Sequence, residues 1–186
     1  MHTQAKYLNF TVDEYLNLES QSVIRYEYIA GQVYPMLGDS EKLKIITGNL
    51  LTRLRTHLNG TECRVCSSDI KLRIEPLDIF YYPELSVTCD TQDRDKLVKR
   101  RPRLIVEVLS PITERIDRNE KFMNYKQLES LQEYVLVSQS EMKVDIYRKY
   151  NKEHWFVENL KSEDILKLSS VGLKMAIAEI YEDIEL

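Results

Sequence analysis

The segment 104–109, LIVEVL, constrains the fold of this chain most, because Glu107 stands inside a run of five aliphatic residues. A short aliphatic run of this length is typical of a buried strand. A carboxylate is costly to bury without a partner, and glutamate is rarely fully buried. Either the strand lies at a sheet edge, where Glu107 faces water, or Glu107 has a partner such as a metal ion.

A second acid stands at the start of another predicted strand, in YYPELSV. Pro83 cannot donate a ladder hydrogen bond, so it marks a strand start or an edge strand. Glu84 follows it directly. If this strand and the Glu107 strand are neighbours, their carboxylates can converge on one cation, with the carbonyl of Val108 as a third oxygen ligand. Hard cations such as Mg²⁺ prefer oxygen ligands of this kind.

The segment after the Glu107 strand carries a lysine between two polar residues on one helix face. Asp117, Lys121 and Tyr125 are spaced four residues apart, so they share that face. Because the helix follows the strand closely, the face can return over the strand end. Lys121 can then stabilise a developing phosphorane charge or orient an attacking water. The alternative is a surface Asp117–Lys121 pair worth about 0.3–0.5 kcal/mol.

Hydrophobic patterning predicts three helices and an amphipathic segment at the end of the chain. A short helix opens at FTVDEYLNLE, where Thr11 and Glu14 have capping-box spacing. Ser40 is placed to cap a helix that reaches about His57, with leucine and isoleucine at helical spacing. The third helix covers 112–130, and an amphipathic segment, 173–184, closes the chain.

Strands fill the remaining segments. A hairpin with strands near 23–29 and 32–36 turns at Ala30–Gly31. Further strands are predicted within these stretches: CRVCSSDIKLRIE, YYPELSVTC, 103–109, EYVLVSQ, KVDIYRK and HWFVENL. The predicted class is α/β or α+β, with one mixed central sheet of about five to seven strands flanked by helices. The length of 186 residues predicts a single domain spanning 1–186.

Charge is distributed unevenly along the chain. The net charge of −4 argues against generic nucleic-acid affinity, yet RDKLVKRRPR, residues 94–103, holds six basic residues and one acid. A solvated loop is one interpretation. The other is a loop that faces phosphates beside the Glu107 strand, through Lys99, Arg100, Arg101 and Arg103.

Cysteine use and hydropathy predict a cytoplasmic protein. No apolar run approaches the roughly 20 residues that span a bilayer, and the first ten residues lack the apolar core of a signal peptide. Cys63, Cys66 and Cys89 form a sparse, odd set that favours a reducing compartment without disulfides. The CxxC pair lacks a second pair to complete a zinc site, so two core cysteines are the favoured interpretation.

Three stretches together resemble a known family: YEYIAGQV, YYPELSVTCD and LIVEVLSPITERIDRNEKFMNYKQLESLQEYVLV. They resemble the Uma-type restriction-endonuclease-like family of the PD-(D/E)xK nuclease superfamily, from about Phe10 to the C-terminus. The resemblance implies a restriction-endonuclease-like core that uses Mg²⁺ or Mn²⁺ to hydrolyse DNA phosphodiester bonds, commonly as a homodimer.

The resemblance also assigns roles to particular residues. It places the metal-binding acids at Glu84 and Glu107, the catalytic lysine at Lys121, and the acid of an early E-x-x-x-G pattern at Glu27. The carbonyl of Val108 is implied as a further metal ligand. A second group of candidates comprises Asp69, Lys71, Asp117 and Tyr125.

Two positions depart from the family pattern. Glu84 stands where the family carries aspartate, and Leu43 stands where many relatives carry histidine. Either change can shift groups in a site that needs positioning within about 0.5 Å. The sequence therefore supports two functions: a DNA endonuclease, attenuated by these changes, or an inactive module on the same fold that binds nucleic acid or a protein partner.

Overall fold

Two mixed sheets and a small hairpin organise the protein, which we describe from a computed structural model for residues 9–36, 38 and 40–185. The six-stranded sheet has the order β11-β10-β9-β8-β6-β3, and the five-stranded sheet has the order β2-β1-β5-β4-β7. The strands are β1 Tyr26–Ile29, β2 Gln32–Pro35, β3 Arg64–Ser67, β4 Lys71–Ile74, β5 Ile79–Tyr81, β6 Leu85–Thr88, β7 Val98–Lys99, β8 Leu104–Leu109, β9 Glu133–Ser138, β10 Lys143–Lys149, β11 Trp155–Lys161, β12 Ile165–Leu168 and β13 Leu173–Ala176.

The helices begin where local signals place them. Helix α1, Val12–Gln21, starts at a capping box in which Thr11 and Glu14 satisfy each other's backbone N–H groups. Helix α2, Glu41–His57, starts at Ser40, whose hydroxyl accepts the N–H of Leu43. Both predicted helix starts are therefore confirmed.

The third helix is interrupted, whereas the sequence predicted one continuous helix over 112–130. It consists of an α-helical turn Glu114–Ile116, a π-helical turn Asp117–Lys121 and an α-helical turn Phe122–Tyr125, together called α3. Ile112 lies before it and is exposed. A π-helical turn adds a residue to the helical turn and commonly marks a functional position.

The C-terminal segment, predicted only to be amphipathic, forms two elements. Residues 173–176 form strand β13, which pairs with β12 in an antiparallel hairpin, and only Ile177–Ile180 form a helix, α4. Met175, Ile177 and Ile180 are buried against the six-stranded sheet core. Their amphipathic pattern reports burial on one side, which a short strand followed by a helical turn satisfies equally well.

The six-stranded sheet lies between two layers. On one face its strands pack against α2 and the β12–β13 hairpin through residues such as Ile46, Leu50 and Leu166. On the other face Ile105 and Leu136 pack with residues of the five-stranded sheet and α3. The prediction of a mixed sheet flanked by helices is confirmed, but the strands divide between two sheets rather than one.

A disulfide joins Cys63 and Cys89, which corrects the expectation that the cysteines stay unpaired. Strands β3 and β6 are antiparallel, and Arg64 is in register with Thr88. The next position outward on each strand is a cysteine, so the ladder itself places the two sulfurs together. Cys66 is a free, buried thiol in β3, as a core cysteine should be.

None of the helices among the described residues has the length and apolar character needed to span a bilayer.

Candidate active site

Glu107 lies in the middle of the protein rather than at a sheet edge. Strand β8 pairs with β6 on one side and β9 on the other, and Glu107 is in register with Leu136. Its side chain is almost completely buried. The edge-strand explanation for this glutamate is therefore excluded, and its burial requires partners.

The first partner comes from the neighbouring strand, as the sequence argument required. Strands β6 and β8 are antiparallel neighbours, with Leu85 in register with Val106. This register brings residue 84 beside residue 107. The backbone N–H of Glu84 donates to Oε2 of Glu107 at 3.1 Å.

The second partner comes from α3, which brings Lys121 over the end of β8. Lys121 Nζ lies 3.3 Å from Oε1 of Glu107 and 3.4 Å from Oδ1 of Asp117. It also lies 3.2 Å from Oε1 of Glu27, which β1 carries. One ammonium group therefore meets three carboxylates, and the surface-pair explanation for Asp117–Lys121 does not hold, because both side chains are buried.

Aromatic residues complete the walls of this cluster. The hydroxyl of Tyr125 donates to Oε1 of Glu107 at 2.9 Å. Lys121 Nζ lies 5.4 Å from the centre of the Tyr81 ring, and the side-chain amide of Asn124 donates to the Tyr81 hydroxyl at 2.7 Å. Asn124 was not singled out from the sequence; its position one residue before Tyr125 was the available signal.

The cluster carries more negative than positive charge when its carboxyl groups are ionised. Burial raises the pKa of Glu107 to about 7; Lys121 opposes the rise, while Asp117 and Glu27 add to it. Burial lowers the pKa of Lys121, but the three carboxylates outweigh that effect and the net shift is upward. Lys121 is therefore a permanent cation, and Glu107 is the group whose charge responds to its surroundings.

Two buried carboxylate oxygens of the cluster can still accept a hydrogen bond. Oε1 of Glu27 and Oδ1 of Asp117 lie at ion-pair distance from Lys121, yet neither accepts a hydrogen bond of good geometry within the described residues. A buried acceptor without a donor is costly. A cation or an ordered water near these oxygens would remove that cost.

These residues fit a divalent cation. The described chain contains no group of three acidic, histidine or cysteine side chains already arranged around one point. Mg²⁺ does not require such a group, because it commonly binds one or two carboxylates and keeps several waters. The carboxylates of Glu27, Glu107 and Asp117 supply oxygen ligands of this kind, and Glu84 adjoins Glu107 across β6 and β8.

Comparison with known proteins identifies the family. The family model for Uma2, described as "Putative restriction endonuclease", matches residues 12–178. This chain belongs to the Uma2 family. The uncharacterized protein slr1290 of Synechocystis sp. is 38% identical over 178 residues, covering 95% of this chain and 94% of that protein.

Further similarities agree with this membership. The uncharacterized protein sll1609 of Synechocystis sp. is 31% identical over 157 residues, 83% of this chain and 89% of that protein. A crystal structure from Anabaena variabilis, titled as a putative nuclease belonging to DUF820, aligns with a TM-score of 0.75 at 17% identity. It covers 92% of this chain and 97% of that one, so the two share their fold.

The second group of candidate site residues divides between the carboxylate cluster and the surface. Asp117 and Tyr125 belong to the cluster, as described above. Asp69 is exposed and pairs with Arg25 at 3.2 Å. Lys71 lies 3.0 Å from Glu19, so it belongs to a separate ion pair.

Glu19 was missed by sequence reasoning. It lies on α1, is almost buried, and accepts the backbone N–H of Tyr26 at 2.6 Å and the hydroxyl of Tyr82. Since Tyr82 precedes the Pro83–Glu84 turn by one residue, this pairing ties α1 to the strand that carries the site. The sequence contains no local signal for a contact between residues so far apart.

The charged side chains of the basic loop, residues 94–103, are largely paired with other groups of the protein. This differs from the predicted arrangement, in which they face phosphates. Lys99 is buried, and its ammonium donates to the carbonyl of Asp93 at 2.9 Å. Arg100 pairs with Glu75 and Asp95, and Arg101 pairs with Asp90. Arg103 is exposed and forms no ion pair within the part of the chain described.

Val108 and Leu43 are both core residues. Val108 is in register with Val137 of β9 and its side chain is buried, so only its backbone can serve the site. Leu43 is buried on α2 in the core beneath the six-stranded sheet. At position 43 the chain therefore contributes an apolar contact to this core.

Proposed function

We propose that this protein is a divalent-metal-dependent endonuclease that hydrolyses phosphodiester bonds of DNA. Membership in a family described as restriction endonucleases supports nuclease chemistry in general. The observation that carries the specific proposal is the buried Glu107, held between the N–H of Glu84 and the ammonium of Lys121. An isolated structural glutamate would not need three further acids nearby.

The proposed metal is Mg²⁺ or Mn²⁺, held by Glu84 and Glu107, with the carbonyl of Val108 and the carboxylate of Glu27 as further oxygens. When bound, such an ion supplies Lewis acidity at a phosphate oxygen and lowers the pKa of a bound water. Asp117 shares Lys121 with these acids, and we propose that it orients the ammonium.

The chain's own residues then have distinct roles in hydrolysis. A water oxygen forms a bond to phosphorus, one ester P–O bond breaks, and the proton lost by the water ends on the departing oxygen. Lys121 stabilises the negative charge that develops on the phosphorane oxygens. Tyr125 holds Glu107 through its hydrogen bond, which fixes the carboxylate relative to residue 84.

The longer side chain of Glu84 sets the expected rate. Glutamate keeps the charge of the family's aspartate but extends the carboxylate by one methylene. A displacement of that order lowers the rate strongly when reacting groups need placement within about 0.5 Å. We therefore expect slow cleavage in the natural protein and faster cleavage after Glu84→Asp.

Cleavage of supercoiled plasmid DNA with Mn²⁺, with Mg²⁺ and with EDTA tests the proposal. We expect nicking that requires the metal and is lost in Glu107→Gln. Glu129→Gln is the matched control, because Glu129 is an exposed acid whose ion-pair partner is Lys152, outside the cluster. Metal-independent nicking, or full activity in Glu107→Gln, would contradict the proposal, as would silence in both the natural protein and Glu84→Asp.

We propose further that the protein acts as a cytoplasmic homodimer, because two antiparallel strands of a duplex offer equivalent bonds to two symmetric sites. Light scattering of the purified protein measures this directly. A species of twice the 22.0 kDa chain mass is expected. A monomer at every concentration tested would contradict the dimer without affecting the chemistry.

A further inference from the structure

A large cleft lies on the other side of β3 from the carboxylate cluster. Its volume is about 1100 Å³, and it is bounded by the end of α2, by β3 and by the loop that follows β6. Neither the family description nor the proposed chemistry assigns it a role. Its walls are rich in charged residues of both signs, so the pairing of those charges decides what it can bind.

Four basic residues of the cleft are available to bind a ligand. Arg55 from α2, Arg64 from β3, and Arg94 and Lys96 from the loop are all exposed. None of the four forms an ion pair within the described residues. They project from three separate elements, so the fold rather than one basic run of sequence brings them together.

Five acidic residues line the cleft; arginines neutralise three of them, while Glu62 is exposed and forms no ion pair within the described residues. Three of them pair with arginines outside the cleft lining: Asp69 with Arg25, Asp90 with Arg101, and Asp95 with Arg100. The carboxylate of Asp93 instead accepts the backbone N–H groups of Arg100 and Arg101, at 3.0 and 2.9 Å. The arginines predicted to contact phosphate therefore serve to cancel the acids of this cleft.

The basic groups act on a common point. Cys66 lies on β3 in the cleft wall, and burial raises the pKa of its thiol. The positive charges of Lys99, Arg55 and Arg64 oppose that rise, while Asp93 adds to it. Arg55 and Arg64 therefore both lie near Cys66 in the wall of the cleft.

Strand β3, which forms one wall of the cleft, runs toward Glu84. At one end of β3, Arg64 is in register with Thr88; at the other end, Ser67 is in register with Leu85, which directly follows Glu84. Three residues of strand span about 10 Å. Glu84 lies one residue further, so a DNA strand that lay along β3, advancing about 3.4 Å per nucleotide, would place Arg64 about four nucleotides from Glu84.

We propose that this cleft binds the phosphate backbone of the nucleic-acid strand that is cut, with Arg55 and Arg64 contacting phosphates and Arg64 about four nucleotides from the scissile bond. Arg94 and Lys96 close the other wall. The part of this inference that relates the cleft to the scissile bond at Glu84 rests on the proposed nuclease function. Binding in the cleft is a separate property that is measured without cleavage.

Binding of a short fluorescein-labelled DNA duplex in EDTA, followed by anisotropy over a series of salt concentrations, tests the proposal. We compare the natural protein with the double variant Arg55→Ala/Arg64→Ala. The matched control is Lys167→Ala/Lys174→Ala, which removes the same charge from two exposed, cross-strand positions on β12 and β13. Arg55→Lys/Arg64→Lys keeps the charge and controls for folding, which the thermal midpoint also monitors.

We expect the alanine pair in the cleft to weaken binding about tenfold or more and to reduce the slope of log Kd against log salt by about 1.8. The control pair and the lysine pair should bind as the natural protein does. Equal binding by the cleft and control variants, or an absence of salt-dependent binding in the natural protein, would overturn the proposal.

The two proposals fail separately. If salt-dependent binding requires Arg55 and Arg64 but no metal-dependent cleavage is found, the nuclease proposal is refuted and the proposal of binding in the cleft stands. If cleavage requires Glu107 but is unchanged in Arg55→Ala/Arg64→Ala, the proposal of binding in the cleft is refuted and the nuclease proposal stands.

Discussion

Replacing Lys121 with methionine is the sharpest test of the buried cluster. Methionine matches the length and volume of the lysine stem, so the change removes a charge and leaves little cavity. The ammonium is the one cation within ion-pair distance of Glu27, Glu107 and Asp117 among the described residues. Its loss leaves three carboxylates facing one another in a buried site.

The size of the effect follows from the burial. Lys121 is 8% exposed, and Glu107 and Asp117 are 3% and 2% exposed, so water screens these charges poorly. Removing one partner of a buried ion pair costs about 3–5 kcal/mol, because the other charge stays buried and uncompensated. For a chain of this size that lowers the thermal midpoint by about 10 °C or more.

The stability that is lost in Lys121→Met should depend on pH in a defined direction. The pKa of Glu107 is raised to about 7, so the folded state holds this proton more tightly than the unfolded chain. Its contribution therefore favours folding below pH 4.5 and is lost as the pH rises through 7. At pH 5 Glu107 is neutral, and Lys121→Met should be destabilised less there than at pH 8.

Thermal unfolding in EDTA at pH 5 and pH 8 measures both effects. Lys152→Met is the control, since Lys152 forms an exposed ion pair with Glu129 and should leave the midpoint unchanged. The reasoning would be refuted if Lys121→Met unfolded like the natural protein at pH 8. It would also be refuted if the loss at pH 5 exceeded the loss at pH 8.

Three further predictions concern single contacts. Tyr125→Phe removes the hydroxyl that donates to Glu107 and should cost about 1–3 kcal/mol in urea unfolding; an unchanged midpoint would contradict the bond. Reduction of Cys63–Cys89, 26 residues apart, should cost about 3 kcal/mol, and equal melting with and without reductant would contradict it. Ser40→Ala removes the cap of α2 and should cost about 1 kcal/mol, whereas Ser40→Asp should be neutral in the same assay.

Local features of this chain were predictable because their causes are local. Thr11 with Glu14, and Ser40 with the apolar stripe after it, place two helix starts within a few residues. The hairpin turn is equally local: Ala30 and Gly31 both adopt positive φ, which ends β1 and starts β2. The aliphatic run around Glu107 predicted a buried strand, and the structure confirms it.

The site was predictable in part for the same reason. Proximity of residue 84 to Glu107 required two strands to be neighbours, and the proline before Glu84 marked where one of them begins. Lys121 followed from helical spacing and from its short separation from β8. The family resemblance added Glu27, whose approach to Lys121 depends on a hairpin far away in sequence.

Pairings between distant residues were not predictable. The division of the strands between two sheets depends on partners such as β1 and β5, about 50 residues apart. The disulfide depends on the β3–β6 register, and two of the acids that neutralise the basic loop, Glu75 and Asp90, lie outside residues 94–103. No local propensity encodes these contacts.

The sequence by itself determined where the first hairpin turns, where the first two helices begin, and that Glu107 needs a partner if its strand is buried. Only the tertiary structure decided what those partners are and which arginines stay available to a ligand. Propensity and capping act over a few residues, while register, ion pairing and burial arise when distant segments share one low-dielectric interior.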